Sequence, residues 1–152
     1  MNYLGIDTAS MSDGKGVRVV LWVAGCPHHC EGCHNPESWD ETNGQEFTNG
    51  TLATLIEALN KPYIQGLTFS GGDPLAPCNR DKVKEIAREV KTRLPDKDIW
   101  LYTGYYFKEV KNLPVMNYID YIVDGPFEIE HRDITLPFRG SPNQNIIKVN
   151  HG

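Results

Sequence analysis

The sequence predicts an α/β fold, an open and incomplete parallel (βα) barrel, on two observations. Runs of β-branched and aromatic residues alternate with segments of helical period, which argues for a parallel sheet with right-handed crossovers. The 152 residues fall short of the roughly 250 that a closed eight-fold barrel takes, which leaves about five strands. That length suits one domain over residues 1–152, and a hydrophobic content of 39% is enough for one core.

In chain order, Val17 to Ala24 (VRVVLWVA) is nearly continuous in β-branched and aromatic residues and reads as a buried strand ending at Gly25. The polar segment Glu37 to Gly50 has no sustained period. Leu52, Leu55, Ile56 and Leu59 then recur at helical spacing, and Pro62 stops that helix. Gly66 to Ser70 (GLTFS) is a short strand running into Gly71 and Gly72. A helix with Val83, Ile86, Ala87 and Val90 on one face follows over about Asn79 to Leu94. Asp98 to Thr103 and Tyr118 to Val123 are two further strands with a short helix near Tyr106 to Asn112 between them, and Ile146 to Val149 is a candidate last strand. In open α/β sheets ligands collect beyond the carboxyl ends of the strands. A cysteine cluster, Gly71-Gly72-Asp73, Thr103-Gly104 and Asp124-Gly125 all fall there.

Charge and hydropathy narrow the function classes. There are 15 basic and 20 acidic residues for a net charge of -5, with no Lys or Arg patch to follow a phosphate backbone, so nucleic acid is not an expected partner. The opening MNYLGIDTAS has neither a basic nor an apolar signal region, and no stretch approaches the ~20 apolar residues of a membrane span. A soluble cytoplasmic protein is expected.

Three of the four cysteines lie close together as Cys26-Pro-His-His-Cys30-Glu-Gly-Cys33. In a chain without an export signal, this clustering favours thiolate metal ligands over disulfides. The spacing C-x-x-x-C-x-x-C can wrap an iron-sulfur cluster. Three thiolates on a four-iron cluster would leave one iron open for chemistry, as open catalytic metal sites do. Two alternatives stand beside this: a structural zinc site completed by His28, His29 or His34, and three unrelated core cysteines. Zinc motifs usually come as two separated ligand pairs, and no second pair is present.

This cysteine spacing at the end of a first strand, followed by Gly-Gly-Asp-Pro at 71 to 74, resembles the radical S-adenosylmethionine superfamily. The phrases AGCPHHCEGCHN (24 to 35), GGDPL (71 to 75), KDIWLYTGY (97 to 105), VDGPF (123 to 127) and FRGSPNQ (138 to 144) resemble one branch more closely. That branch comprises the activating proteins of anaerobic (class III) ribonucleoside-triphosphate reductase.

The resemblance implies that Cys26, Cys30 and Cys33 ligate three irons of a 4Fe-4S cluster. It implies that S-adenosylmethionine chelates the fourth iron through its amino and carboxylate groups. Gly71 and Gly72 would let the backbone approach the methionine end, Asp73 could accept from the bound amine, and Gly32, Cys33 and His34 would lie against the nucleoside. His34 stands where the branch often has Tyr. An electron from the cluster would cleave the sulfonium, and the resulting 5'-deoxyadenosyl radical would take hydrogen from a glycine of the reductase. The implied partners are the class III reductase and a one-electron donor such as flavodoxin. Alternatives are an activase of another glycyl-radical enzyme, a small-molecule radical enzyme, and a non-catalytic zinc or iron-sulfur module.

Other residues carry two readings each. Cys78 has no counterpart among the family's ligands and reads as a polar loop thiol near the site. Arg18, in a strand, points to a partner carboxylate or to the cofactor, or else forms a plain structural ion pair. Thr103 could reach a ribose hydroxyl or belong to a turn before the next helix, and Asp124 is a similar case. Trp22, Trp39 and Trp100 are expected in the core, and Arg139 is a candidate for a late loop closing over the cofactor or the protein substrate, with a surface turn as its other reading.

Overall fold

The structure, a computed structural model, describes residues 1–28, 39–133, 135–139 and 141–149. Its elements are β1 (Asn2–Ser10), β2 (Arg18–Val23), β3 (Gln45–Glu46), α1 (Asn49–Leu59), β4 (Gly66–Gly71), α2 (Arg80–Arg93), β5 (Asp98–Tyr102), α3 (Phe107–Val110), β6 (Tyr121–Asp124) and β7 (Asn145–Lys148). The seven strands form a single sheet in the order β3-β1-β2-β4-β5-β6-β7.

The sheet is mixed, which corrects the expectation of a parallel one. Its centre, β2-β4-β5-β6, is parallel, as the alternation of strands and helices predicts. β1 runs antiparallel to β2 and to β3, and β7 antiparallel to β6. The reason for β1 is the short link from Ser10 to Arg18, because a parallel neighbour needs a crossover of a dozen or more residues. β1 itself escaped the sequence reading: it is half-buried or exposed along most of its length and lacks the apolar density of β2.

The period of two sorts each central strand into two faces. Val19, Leu21 and Val23 of β2, Leu67 and Phe69 of β4, Ile99 and Leu101 of β5 and Ile122 of β6 meet Leu55 and Leu59 of α1 and Val83, Ile86, Ala87 and Val90 of α2 in one apolar core. The alternate positions Arg18, Val20, Thr68 and Trp100 are buried as well, outside that cluster. Burial on both faces is why β2 reads as a continuous apolar run rather than an alternation.

Helix starts follow local chemistry. Thr48 caps α1, its hydroxyl accepting from Thr51 N while Thr51 Oγ1 accepts from Thr48 N. α2 carries Asp81 in its first turn and Lys91 and Arg93 in its last, in line with the helix dipole. The strand expected from Tyr118 begins instead at Tyr121, because Pro114 opens a 3-10 helix, Pro114–Tyr118. No helix of the described residues is long and apolar enough to cross a membrane.

Candidate active site

The carboxyl ends of β2, β4 and β5 are laced together by backbone bonds. β2 leaves the sheet through Ala24 and turns at Gly25, at φ +101°. A Cβ there would sit 2.9 Å from Cys78 Sγ, so glycine meets both a backbone and a packing requirement. Gly72 N donates to Val23 O (2.8 Å) and Asp73 N to Gly25 O (2.7 Å), tying the loop after β4 to the root of the cysteine loop. Gly71, at φ +107°, passes so close to β2 that a Cβ would lie 2.5 Å from Val23 O and 2.6 Å from Val23 N. The neighbouring strand alone therefore accounts for Gly71.

Asp73 is the hub of this region and is buried. Its carboxylate accepts from Leu75 N (2.9 Å), Gly104 N (2.9 Å) and Thr103 Oγ1 (2.8 Å), and His28 Nε2 lies 2.6 Å from Oδ2. Thr103 thus turns its hydroxyl toward Asp73 and also accepts from Tyr105 N (3.2 Å). The ring of Tyr105 meets His28 edge-on at 4.6 Å. Burial, and next the charge of Asp73, push the Tyr105 hydroxyl up from its ordinary pKa.

Asn79, which the sequence marks only as a helix start, joins the same region. It is buried, and its amide donates to Ala24 O (2.8 Å) and Asp73 O (3.0 Å). Its one sequence signal, an Asn just ahead of a helical period, says nothing about partners in two other loops.

Cys26 is half-buried at an open cavity of about 520 Å³ whose lining includes Gly25, Trp39, Glu41, Pro77 and Cys78. Cys26 and the space beside it fit one thiolate of a cluster site. Cys30, Gly32, Cys33 and His34, the other expected residues of that loop, lie outside the described residues, as does His29. Cys78 opens onto the same cavity, but burial, aided by the hydrogen bond and charge of Glu41, pushes its thiol up to about 11.

The remaining candidates divide by place. Arg18 sits at the opposite, amino end of β2, fully buried and paired with Asp98 at 2.6 Å, which is the structural ion pair among its readings. Asp124 is an anchor whose oxygens accept from Phe107 N (2.8 Å) and Asn145 N (3.0 Å), joining α3 and β7 to β6. Trp100 is buried, whereas Trp22 and Trp39 are only half-buried. Phe138, at φ 58°, places its ring 5.5 Å from that of Trp100, so the segment leading to Arg139 packs against β5. A larger depression of about 610 Å³ lies between α1 and α2 and holds none of the expected site residues.

Comparison with known proteins places the chain in a family. Residues 12–147 match the family described as a 4Fe-4S single cluster domain. The chain is 47% identical over 146 residues to the anaerobic ribonucleoside-triphosphate reductase-activating protein of Enterobacteria phage T4, covering 96% of this chain and 93% of that protein. Proteins of the same name from Vibrio cholerae and Escherichia coli K12 are 41% and 38% identical, over 96% and 95% of this chain and 97% and 96% of theirs. With the strand-end site and near full-length likeness together, the chain belongs to the family of anaerobic ribonucleoside-triphosphate reductase-activating proteins.

Proposed function

We propose that this chain activates an anaerobic ribonucleoside-triphosphate reductase by generating a glycyl radical on it. The observation that carries the reading is the likeness to the activating proteins over nearly the whole of both chains. The cluster and S-adenosylmethionine, when bound, supply a one-electron reductive cleavage whose product removes a hydrogen atom from a glycine Cα.

The chain's own residues hold and orient these groups. Cys26, Cys30 and Cys33 are the proposed thiolates, and Gly32, Cys33 and His34 the proposed backbone against the nucleoside. Gly71 and Gly72 shape the loop at the methionine end, and Asp73, steadied by Thr103, faces it. The proposed architecture is the open, incomplete barrel of the superfamily in one domain. It is supported by the parallel strands β2-β4-β5-β6, the helical core on one face, and the gathering of expected residues at one end. Such an open end would admit a glycine loop from a larger partner. The electron donor is proposed to be a small one-electron carrier such as flavodoxin, in the cytoplasm.

The test is anaerobic. The reduced, cluster-loaded protein with S-adenosylmethionine should raise a doublet electron paramagnetic resonance signal on a class III reductase, and deuterium on the reductase glycines should appear in the released 5'-deoxyadenosine. Cofactor cleavage with neither radical nor deuterium transfer on any class III reductase tried would overturn the activase reading and favour a small-molecule substrate.

A further inference from the structure

The geometry points to His28 as a positioning residue that, through its bond to Asp73, locks the start of the cysteine loop, Gly25 to His28, against the loops after β4 and β5 and so sets where the cluster meets the cofactor's chelating end. The inference deepens the function proposed above and rests on it for the cofactor.

His28 follows Cys26 by two residues, and its Nε2 lies 2.6 Å from Asp73 Oδ2. The other groups on that carboxylate, Leu75 N, Gly104 N and Thr103 Oγ1, are all donors. A carboxylate only accepts, so the His28 Nε2 carries the proton and donates.

The imidazole also has a fitted seat. Gly104 makes room for it, since a Cβ on Gly104 would lie 2.4 Å from the ring's Cδ2 and 2.8 Å from its Cγ. Tyr105 closes the edge at 4.6 Å, and the His28 side chain is only 18% exposed. Beside the bond from Cys26 N to Trp39 O, two ties run from the start of the cysteine loop to Asp73: Asp73 N on Gly25 O at its root, and the His28 imidazole on the Asp73 side chain three residues later. Both end on one residue, and that residue is fixed by β4 and β5. Outer partners of this kind orient a metal-binding loop, and their loss typically costs 10–100-fold in metal affinity or activity.

The test compares His28→Ala and His28→Gln, loaded with cluster and kept anaerobic. In the first arm, without cofactor, iron loss to a chelator should be about tenfold faster in His28→Ala and return to within about threefold of wild type in His28→Gln, whose amide can donate in place of Nε2. In the second arm, S-adenosylmethionine should bind about tenfold more weakly to His28→Ala, and the change it causes in the reduced cluster's electron paramagnetic resonance spectrum should shrink, both restored by Gln. Circular dichroism matching wild type would show that the variants fold. Wild-type iron loss in His28→Ala, or tighter cofactor binding there, would overturn the inference; the latter would mean that the imidazole merely occupies the cofactor's seat. If the wild type itself bound no S-adenosylmethionine, the proposed function would fail, while the chelation arm would still decide on His28.

Discussion

Arg18 reaches Asp98 across Gly66, Nη2 lying 2.6 Å from Oδ1 at the amino end of the parallel strands. Gly66 pairs in register with both residues, and a Cβ on it would lie 2.9 Å from Nη2 and 2.1 Å from Asp98 O. The guanidinium also donates to Thr68 Oγ1, Leu67 O and Lys15 O and lies 5.5 Å from the centre of the Trp100 ring. Its burial pulls the Arg18 pKa down, and Asp98 is the largest influence opposing that.

Removing Asp98 leaves that buried cation without its counter-charge. Asp98→Asn should lower unfolding stability by about 3 kcal/mol, toward the low end for a broken buried pair because Asp98 is partly exposed. Arg18→Met should destabilise as well, since it removes the donor to Leu67 O and Lys15 O along with the partner of Asp98. Urea unfolding would check both, and a loss under about 0.5 kcal/mol for Asp98→Asn would place the pair with ordinary surface bridges.

Gly71→Ala should act on the fold before it acts on any ligand. The new Cβ would collide with the Val23 backbone, at a backbone angle that other residues adopt with strain. A loss of about 2 kcal/mol or more in urea unfolding is expected. Unchanged stability with weakened S-adenosylmethionine binding would instead give Gly71 to the cofactor.

Each of Cys26→Ala, Cys30→Ala and Cys33→Ala should abolish the stable cluster, while Cys78→Ser should keep full iron content. Iron analysis and the visible spectrum of anaerobic protein decide this. A Cys78 variant without iron, or a Cys30 variant with it, would redraw the ligand set.

Cys78 should be a slow nucleophile. With the other three cysteines in the cluster, a single alkylation by iodoacetamide is expected, whose rate keeps rising with pH toward about 11 instead of levelling off near an ordinary thiol value. Glu41→Gln should shift that profile to lower pH, because an anion beside the sulfur disfavours the thiolate. The linkage has a definite sign: with the folded value above the unfolded one, the stabilising contribution is complete below the ordinary thiol range and is lost as pH rises through about 11. Mass spectrometry across pH 7–11 would follow the alkylation, and a profile that levels off near pH 8.5, the value of an unperturbed thiol, would contradict the environment described.

The sequence by itself determined the central strands, the two main helices and the cysteine motif, because these are local. Buried strands such as β2 announce themselves by composition, α2 by Val83, Ile86, Ala87 and Val90 at helical spacing, and the thiolate loop by intervals of a few residues. Strand direction and partnership were decided only in three dimensions. β1 is too polar to stand out and gains its place by pairing with β2, and β7 turns antiparallel against β6. The same holds for the site: Asp73 and Thr103 were legible as strand-end residues, yet nothing local joins them. His28 and Asp73 are 45 residues apart and Thr103 a further 30. Their bonds form because parallel β2, β4 and β5 bring the ends of three separate segments to one edge of the sheet, and a buried carboxylate must find its donors among whatever the fold delivers there.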